Sequence, residues 1–174
     1  TLVHNGIIEN FAELKAELTE LGHVFESQTD TEVVAHLLDQ TLSEGLSPLA
    51  AFKATLDRLT GAYALAVLIE GEDGLILGAR RGSPLVVGWG EGEMYLGSDA
   101  LAVGPFTQKS SYLEEGDYVA VDRAGARMFD ARGVAVDRSV VQVSASSAMV
   151  EKGEYRHFME KEIHEQPNSV QHTL

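Results

Sequence analysis

The chain opens with residues 1–10, TLVHNGIIEN, and this stretch governs how the rest of the fold is interpreted. Within it, Asn5 and Gly6 follow a short apolar run and precede a segment with helical periodicity. Asn-Gly tolerates positive φ, so the simplest interpretation is a turn. The alternative is a strand–helix corner at which the Asn5 side-chain amide and the Gly6 backbone N–H donate to one oxygen atom, as an oxyanion requires. These residues alone leave both interpretations open.

Three amphipathic helices are predicted directly after this stretch. Their apolar positions recur at helical spacing over residues 11–21, 33–42 and 49–59. Gly22 suits the C-terminal end of the first helix, and Pro48 suits the first position of the third. The first third of the chain is therefore expected to form a helical layer.

The start of the second helix carries a candidate functional residue, Asp30. Thr29 and Glu32 have the spacing of a capping box, in which these two side chains satisfy backbone N–H groups and leave Asp30 free. One interpretation of Asp30 is a first-turn carboxylate that stabilises the helix by ~0.3–1 kcal/mol. The other is a carboxylate that receives the ammonium group of a ligand. The residues alone do not separate the two.

After Gly61 the pattern changes from helices to strands. The apolar run over residues 62–69 is typical of a strand that is covered on both faces, and glycine-rich turns separate the later strands. Ser98 and Asp99 are expected to cap a short helical turn. Helices followed by successive hairpins predict an α+β layered fold with an antiparallel sheet in its middle. The predicted strands are residues 23–26, 62–69, 75–80, 85–87, 94–97, 118–121, 126–129 and 134–136.

Length and composition limit the class of protein. With 174 residues, 44% of them apolar, one domain is expected. The net charge of -14 repels phosphate backbones and anionic lipid heads, so we expect no nucleic acid partner and no membrane partner. No apolar run approaches the ~20 residues of a membrane span, and a cytoplasmic location is expected. The absence of cysteine excludes a disulfide, a thiolate metal site and a thiol nucleophile within these residues.

Other candidate chemistry has weaker support. Residues 88–92 are rich in glycine but lack the Lys-Ser/Thr of a phosphate loop, so a hairpin connection is predicted there. His157, Glu160 and His164 share one face of a predicted helix over residues 155–167, and a contact helix is favoured over a metal site because this helix holds no third histidine. No Gly-x-Ser-x-Gly motif offers a serine nucleophile. We therefore expect neither a metal nor an organic cofactor.

Six motifs occur together along the chain. They are residues 4–10 (HNGIIEN), 29–33 (TDTEV), 81–85 (RGSPL), 97–99 (GSD), 113–117 (LEEGD) and the tail 155–167. In this order they resemble the glutaminase domain of glutamine–fructose-6-phosphate aminotransferase, a class II glutamine amidotransferase of the N-terminal-nucleophile hydrolase type. The resemblance covers essentially the whole chain, and six motifs in register are far more specific than any one alone.

The resemblance implies a fold and a set of site residues. The fold is a four-layer α/β/β/α sandwich with antiparallel sheets, here expected to be incomplete. Asn5 and Gly6 would form the oxyanion hole, and Gly6 and Asp30 would bind glutamine, with Asp30 receiving its α-ammonium group. In the family the nucleophile is an N-terminal cysteine whose own α-amino group acts as the base. That cysteine, and an arginine for the substrate carboxylate, would belong to a segment before Thr1, since the chain starts without Met and with a core strand.

The resemblance also implies a function and partners. Residues 1–143 would be the amidotransferase domain without its nucleophile segment, and residues 144–174 a linker toward a sugar isomerase domain. The intact protein, expected to be a homodimer, would hydrolyse L-glutamine and pass ammonia on for making glucosamine 6-phosphate from fructose 6-phosphate. This chain alone would be inactive. The alternatives are the glutaminase domain of another class II amidotransferase, such as amidophosphoribosyltransferase, against which the tail argues, and a non-catalytic binding module.

Overall fold

A computed structural model describes residues 1–142, 156–157, 159–160, 162–164 and 166. Within the first of these ranges the helices are α1 (Phe11–Glu20), α2 (Asp30–Ser43), α3 (Pro48–Arg58) and α4 (Ala100–Val103). The strands are β1 (Leu2–Ile8), β2 (Gly61–Val67), β3 (Ile76–Arg81), β4 (Val86–Trp89), β5 (Met94–Gly97), β6 (Lys109–Tyr112), β7 (Tyr118–Asp122), β8 (Gly125–Phe129), β9 (Ala135–Val136) and β10 (Val140–Gln142).

The strands form two antiparallel sheets that pack face to face. The first sheet has the order β1-β2-β3-β7-β8-β9, and the second has the order β10-β6-β4-β5. Helices α1, α2 and α3 cover the outer face of the first sheet through an apolar cluster that includes Val33, Phe52 and Leu65. A second cluster, which includes Val87 and Val119, lies between the sheets. The predicted α+β fold is therefore confirmed, with layers in the order α/β/β.

The fourth layer is represented by the one-turn helix α4. This helix packs on the outer face of the second sheet, where Val103 lies against Gly88 and Gly97. Its N-cap is Asp99, whose carboxylate accepts a hydrogen bond of 2.8 Å from Ala102 N, as the sequence predicted. The described residues thus form an incomplete α/β/β/α sandwich.

The helices begin and end where local chemistry predicts. Gly22 follows α1 with a φ of +97°, and Pro48 is the first residue of α3. Strands β6 and β10 were not predicted, because their sequences, KSSY and VVQ, lack an alternating apolar pattern. β6 is a strand because it pairs with β4 on one side and with β10 on the other, and both of its serines are buried.

The loop before α2 differs from the prediction in two ways. Thr29 occupies the N-cap position, but within the described chain its side chain makes no capping hydrogen bond. The Glu32 carboxylate instead accepts hydrogen bonds from Glu26 N and Ser27 N, at 2.7 and 2.8 Å. These bonds hold residues 23–26 as an irregular segment, so both the capping box and the strand predicted there are wrong.

Glu32 gives the fold a testable pH dependence. Hydrogen bonds from Ser27 and Glu26 lower the pKa of the Glu32 carboxyl from 4.5 to about 2. Because the folded-state pKa is depressed, the carboxylate stabilises the fold above pH ~4.5, and this contribution is lost as the pH falls toward 2. We expect Glu32→Gln to lower the thermal midpoint at neutral pH and to flatten the decline of that midpoint over this acidic window.

The matched control for this prediction is Asp39→Asn, an exposed change on the same helix. It should leave the acidic decline of the midpoint as steep as in the unchanged chain. An equally steep decline in Glu32→Gln would show that the loop contacts of Glu32 do not stabilise the fold.

The tail is described only in part. Residues 159–160, 162–164 and 166 are helical and exposed, in agreement with the helix predicted over residues 155–167. The small polar segment 144–147 lies outside the described residues. Among the residues that the structure describes, no helix is long and apolar enough to cross a membrane.

Candidate functional site

Asn5 and Gly6 lie inside strand β1, so the predicted turn or strand–helix corner at this point is wrong. Their partners on β2 are Ala64 and Tyr63. Gly6 has a φ of +138°, and a Cβ atom there would lie 2.0 Å from the carbonyl oxygen of Ala62, so only glycine fits. The strand continues because glycine adopts this φ without leaving the ladder. The corner lies instead between β1 and α1.

The N–H of Gly6 points to the free edge of the sheet. Residue pairs of an antiparallel ladder alternate between those that exchange hydrogen bonds and those that do not. At one end of the β1–β2 ladder, Leu68 N donates to Thr1 O over 2.9 Å. At the other end, Glu9 N donates to Thr60 O over 2.8 Å. The odd residues of β1 are therefore bonded to β2, and Gly6 directs its N–H to the outer edge, where no further strand pairs among the described residues.

The carboxylate of Asp30 lies on the same edge. Asp30 is the first residue of α2, and its Oδ2 accepts a hydrogen bond of 2.8 Å from the N–H of Ile8. The prediction that Asp30 is free is wrong, because this edge N–H takes one of its oxygens. The other oxygen, Oδ1, lies 3.9 Å from His4 Nδ1, and the Asp30 side chain is 25% exposed. Asp30 can thus still meet a cation from solvent.

The Gly6 N–H and the Asp30 carboxylate are spaced for a small amino acid. Alternate residues on one strand edge are about 7 Å apart, which is the separation expected between the N–H of Gly6 and that of Ile8, the residue bonded to Asp30. A ligand with an ammonium group at one end and a carbonyl at the other has the length to span Asp30 and the Gly6 N–H. Asn5 is exposed on the face of β1 that points away from the helices.

His4 is a fourth residue at the site, and the sequence analysis gave it no role. Its side chain is 3% exposed, and its Nδ1 lies 2.9 Å from Thr31 Oγ1. A signal was present in the alternation of β1, which turns Leu2, His4 and Ile8 toward the helices. A histidine at that phase of the strand must be buried against a helix.

The glycine-rich candidate is structural. Residues 88–92 belong to the hairpin of β4 and β5, closed by a bond of 3.1 Å from Gly90 N to Glu93 O, so the predicted hairpin is confirmed. His157, Glu160 and His164 are exposed. In the described part of the chain, no three His, Cys, Asp or Glu side chains are grouped so that they could hold a metal ion. The candidate site is therefore the edge formed by β1 and the first turn of α2.

The class of protein follows from this fold, this edge and a family comparison. Backbone and amide donors beside a carboxylate suit a ligand that has both an amide and an ammonium group. A sequence profile described as the glutamine amidotransferase domain matches residues 1–104, which is more than half of the chain. The chain belongs to this family of glutamine amidotransferase domains.

More particular similarity is to proteins named glutamine–fructose-6-phosphate aminotransferase [isomerizing]. The Caulobacter vibrioides protein is 71% identical over 174 residues, which is 100% of this chain and 29% of that protein. Those of Zymomonas mobilis and Bradyrhizobium diazoefficiens are 59% and 55% identical over 173 residues, 99% of this chain and 28% of each relative. The chain thus spans less than a third of the length of these relatives.

Solved structures support the fold. A glutamine phosphoribosylpyrophosphate amidotransferase from B. subtilis, complexed with ADP and GMP, matches with a TM-score of 0.63 at 29% identity, over 74% of this chain and 28% of that one. A glutamine aminotransferase class-II domain protein from Silicibacter pomeroyi matches with a TM-score of 0.50 at 16% identity, over 74% of this chain and 64% of that one, which shows the fold alone. The predicted N-terminal-nucleophile hydrolase sandwich is confirmed.

Proposed function

We propose that the chain is the glutaminase part of a glutamine–fructose-6-phosphate aminotransferase. Such an enzyme hydrolyses L-glutamine and uses the ammonia to make glucosamine 6-phosphate from fructose 6-phosphate. The observation that carries the proposal is 71% identity, over all 174 residues, to a protein of that name. The phosphoribosylpyrophosphate amidotransferase, which is 29% identical, is a weaker alternative.

Asn5 and Gly6 are proposed as the oxyanion hole. When a nucleophile adds to the side-chain amide carbon of glutamine, negative charge develops on the carbonyl oxygen. The Asn5 side-chain amide and the edge-directed N–H of Gly6 would donate to that oxygen. Because both residues belong to a paired strand, the backbone that carries these donors would be held in place before the charge develops.

Asp30, with the backbone of Gly6, is proposed to bind the other end of the substrate. The bond from Ile8 N fixes Oδ2 of Asp30 and leaves Oδ1 for the α-ammonium group. A charge-assisted hydrogen bond of this kind is stronger than one between neutral groups. The carboxylate would therefore select an α-amino acid over a simple amide.

The nucleophile is proposed to come from outside these 174 residues, which contain no cysteine. A cysteine thiolate would attack the amide carbon, ammonia would leave after taking up a proton, and water would hydrolyse the thioester to glutamate. This sequence replaces one difficult step by two easier ones. Both tetrahedral intermediates carry their charge on the same oxygen, so Asn5 and Gly6 would serve twice. Neither step requires a metal or an organic cofactor.

The same proposal covers organisation and partners. Residues 1–143 would form the amidotransferase domain, and residues 144–174 would lead to a sugar isomerase domain in a cytoplasmic homodimer. The net charge of -14 argues against nucleic acid as a partner. Product analysis of the full-length protein tests the function: glucosamine 6-phosphate and glutamate should form in equal amounts. Glutamate release that never yields the amino sugar, with fructose 6-phosphate present, would overturn the proposal.

The role of Asp30 predicts a specific kinetic change in the full-length protein. Asp30→Asn retains an oxygen for the N–H of Ile8 but removes the negative charge. Loss of a charge-assisted hydrogen bond should cost about 1.5–3 kcal/mol of binding, so KM for glutamine should rise by about one to two orders of magnitude. If Asp30 only favours the helix, the same change should cost less than ~1 kcal/mol of stability and leave KM unaltered.

Glutamine kinetics and the thermal midpoint should be measured on the same Asp30→Asn preparation. Asp39→Asn, on the exposed side of the same helix, is the matched control for charge. A lower midpoint together with an unaltered KM would remove Asp30 from the substrate site.

A further inference from the structure

His4 connects strand β1 to the start of α2 beside the proposed substrate site. It is one residue before Asn5 and two before Gly6, and its side chain turns inward under the helix. Nδ1 lies 2.9 Å from the Thr31 hydroxyl oxygen. The histidine therefore joins the strand that carries the proposed oxyanion donors to the helix turn that carries Asp30.

The contacts of His4 and Ile8 are placed symmetrically about Gly6. Ile8, two residues after Gly6, donates its N–H to Asp30 Oδ2 over 2.8 Å. His4, two residues before Gly6, contacts Thr31 and lies 3.9 Å from Asp30 Oδ1. The first turn of α2 is thus fastened to β1 on both sides of the glycine. Such a pair of attachments sets both the distance and the orientation of the Asp30 carboxylate relative to Gly6.

The burial of His4 indicates that its ring is present for more than packing. Nε2 is buried and has no hydrogen-bond partner among the described residues. A buried polar atom without a partner costs free energy, which an apolar side chain of similar size would avoid. The ring is 3% exposed, so solvent does not recover this cost. The benefit of histidine here must come from the Nδ1 side, which faces Thr31 and Asp30.

We propose that His4 is a positioning residue for recognition of the α-ammonium group of glutamine, acting through Asp30 and Thr31. The inference rests on the proposed function, because it assigns His4 to the same site. His4 touches neither the reacting amide nor the oxyanion. It sets the direction of the carboxylate that meets the ammonium group, so its effect is on substrate binding and on selection of an α-amino acid.

The test compares two substrates in the full-length protein. L-Glutamine carries the α-ammonium group, and 4-carbamoylbutanoate is the same molecule without it. His4→Leu fills the space but removes the Nδ1 contact. We expect it to raise KM for L-glutamine by about fivefold to tenfold with little change in kcat, and to leave kinetics with 4-carbamoylbutanoate nearly unchanged. The preference for the α-amino substrate should therefore fall.

Two further variants keep the test valid if His4→Leu folds poorly. His4→Asn places a polar atom near the Nδ1 position and should restore most of the preference for L-glutamine. Thr31→Val removes the partner hydroxyl and should reduce the preference in the same direction. In the double variant His4→Leu/Thr31→Val, the two effects should be less than additive, because each substitution removes the same contact between His4 and Thr31.

The outcomes separate this inference from the proposed function. If Asp30→Asn lowers the preference for L-glutamine but neither His4→Leu nor Thr31→Val does, His4 is only a packing residue and the inference is wrong. If Asp30→Asn itself leaves the preference intact, the proposed role of Asp30 fails first and the inference fails with it. A reduced thermal midpoint in His4→Leu with an intact preference also overturns the inference.

Discussion

The 174-residue chain, assayed alone, is expected to release no glutamate from L-glutamine above the uncatalysed background. The sequence contains no cysteine. Without a nucleophile, the oxyanion donors have no tetrahedral intermediate to stabilise. The measurement is glutamate release by the purified chain at high protein concentration, followed over hours.

A longer protein is the matched control for this prediction. It carries the same residues preceded by a segment that begins with the cysteine expected from the family resemblance, and it should turn over glutamine. The same protein with that cysteine changed to alanine should be as inactive as the chain alone. Turnover by the chain at the level of the longer protein would mean that a nucleophile lies within these 174 residues.

The second large effect is expected from Asn5→Ala in the active protein. Removing one oxyanion donor should lower kcat for glutamine hydrolysis by roughly 10²–10³. KM should change much less, because the charge on the oxygen develops only in the transition state. Asn5 is exposed, so its replacement by alanine should not unfold the protein. A lower kcat would therefore report the lost donor.

Asn10→Ala is the matched control for Asn5→Ala. The Asn10 side chain is structural: its amide donates to Arg58 O over 2.8 Å, and its carbonyl oxygen accepts from Thr60 N over 2.9 Å. Its removal should lower the thermal midpoint and leave kcat close to that of the unchanged protein. If Asn5→Ala instead behaves like Asn10→Ala, Asn5 is an ordinary strand residue.

The fold was predictable wherever the local pattern and the tertiary environment agree. Helical spacing of apolar residues predicted α1, α2 and α3, since most of these positions are buried, although Phe11 and Leu21 at the two ends of the first pattern are exposed. The continuous apolar run before Ile69 predicted β2, which is covered by helices on one face and in part by the second sheet on the other. Strand β6 was missed because its two buried serines give no apolar pattern, and it becomes a strand through its pairing with β4 and β10.

Motifs singled out the candidate site residues Asn5, Gly6 and Asp30, but they did not predict the geometry of these residues. Asn-Gly has a strong preference for turns, but the ladder to β2, whose residues come much later in the chain, overrides it. Asp30 appeared free because its donor, the N–H of Ile8, belongs to another element. His4 contacts Thr31 across the same strand–helix gap. Such contacts between a strand and a helix leave no periodic signal in the sequence, so the sequence pattern does not predict them.

A crystal structure of the active protein with L-glutamate, the product, bound tests the proposed site most directly. We expect the α-ammonium group within hydrogen-bonding distance of the Asp30 carboxylate. We also expect the side-chain carboxylate of glutamate against the Asn5 amide and the Gly6 N–H. Glutamate bound away from the edge formed by β1 and α2, or at that edge with its ammonium group turned away from Asp30, would contradict the proposed site.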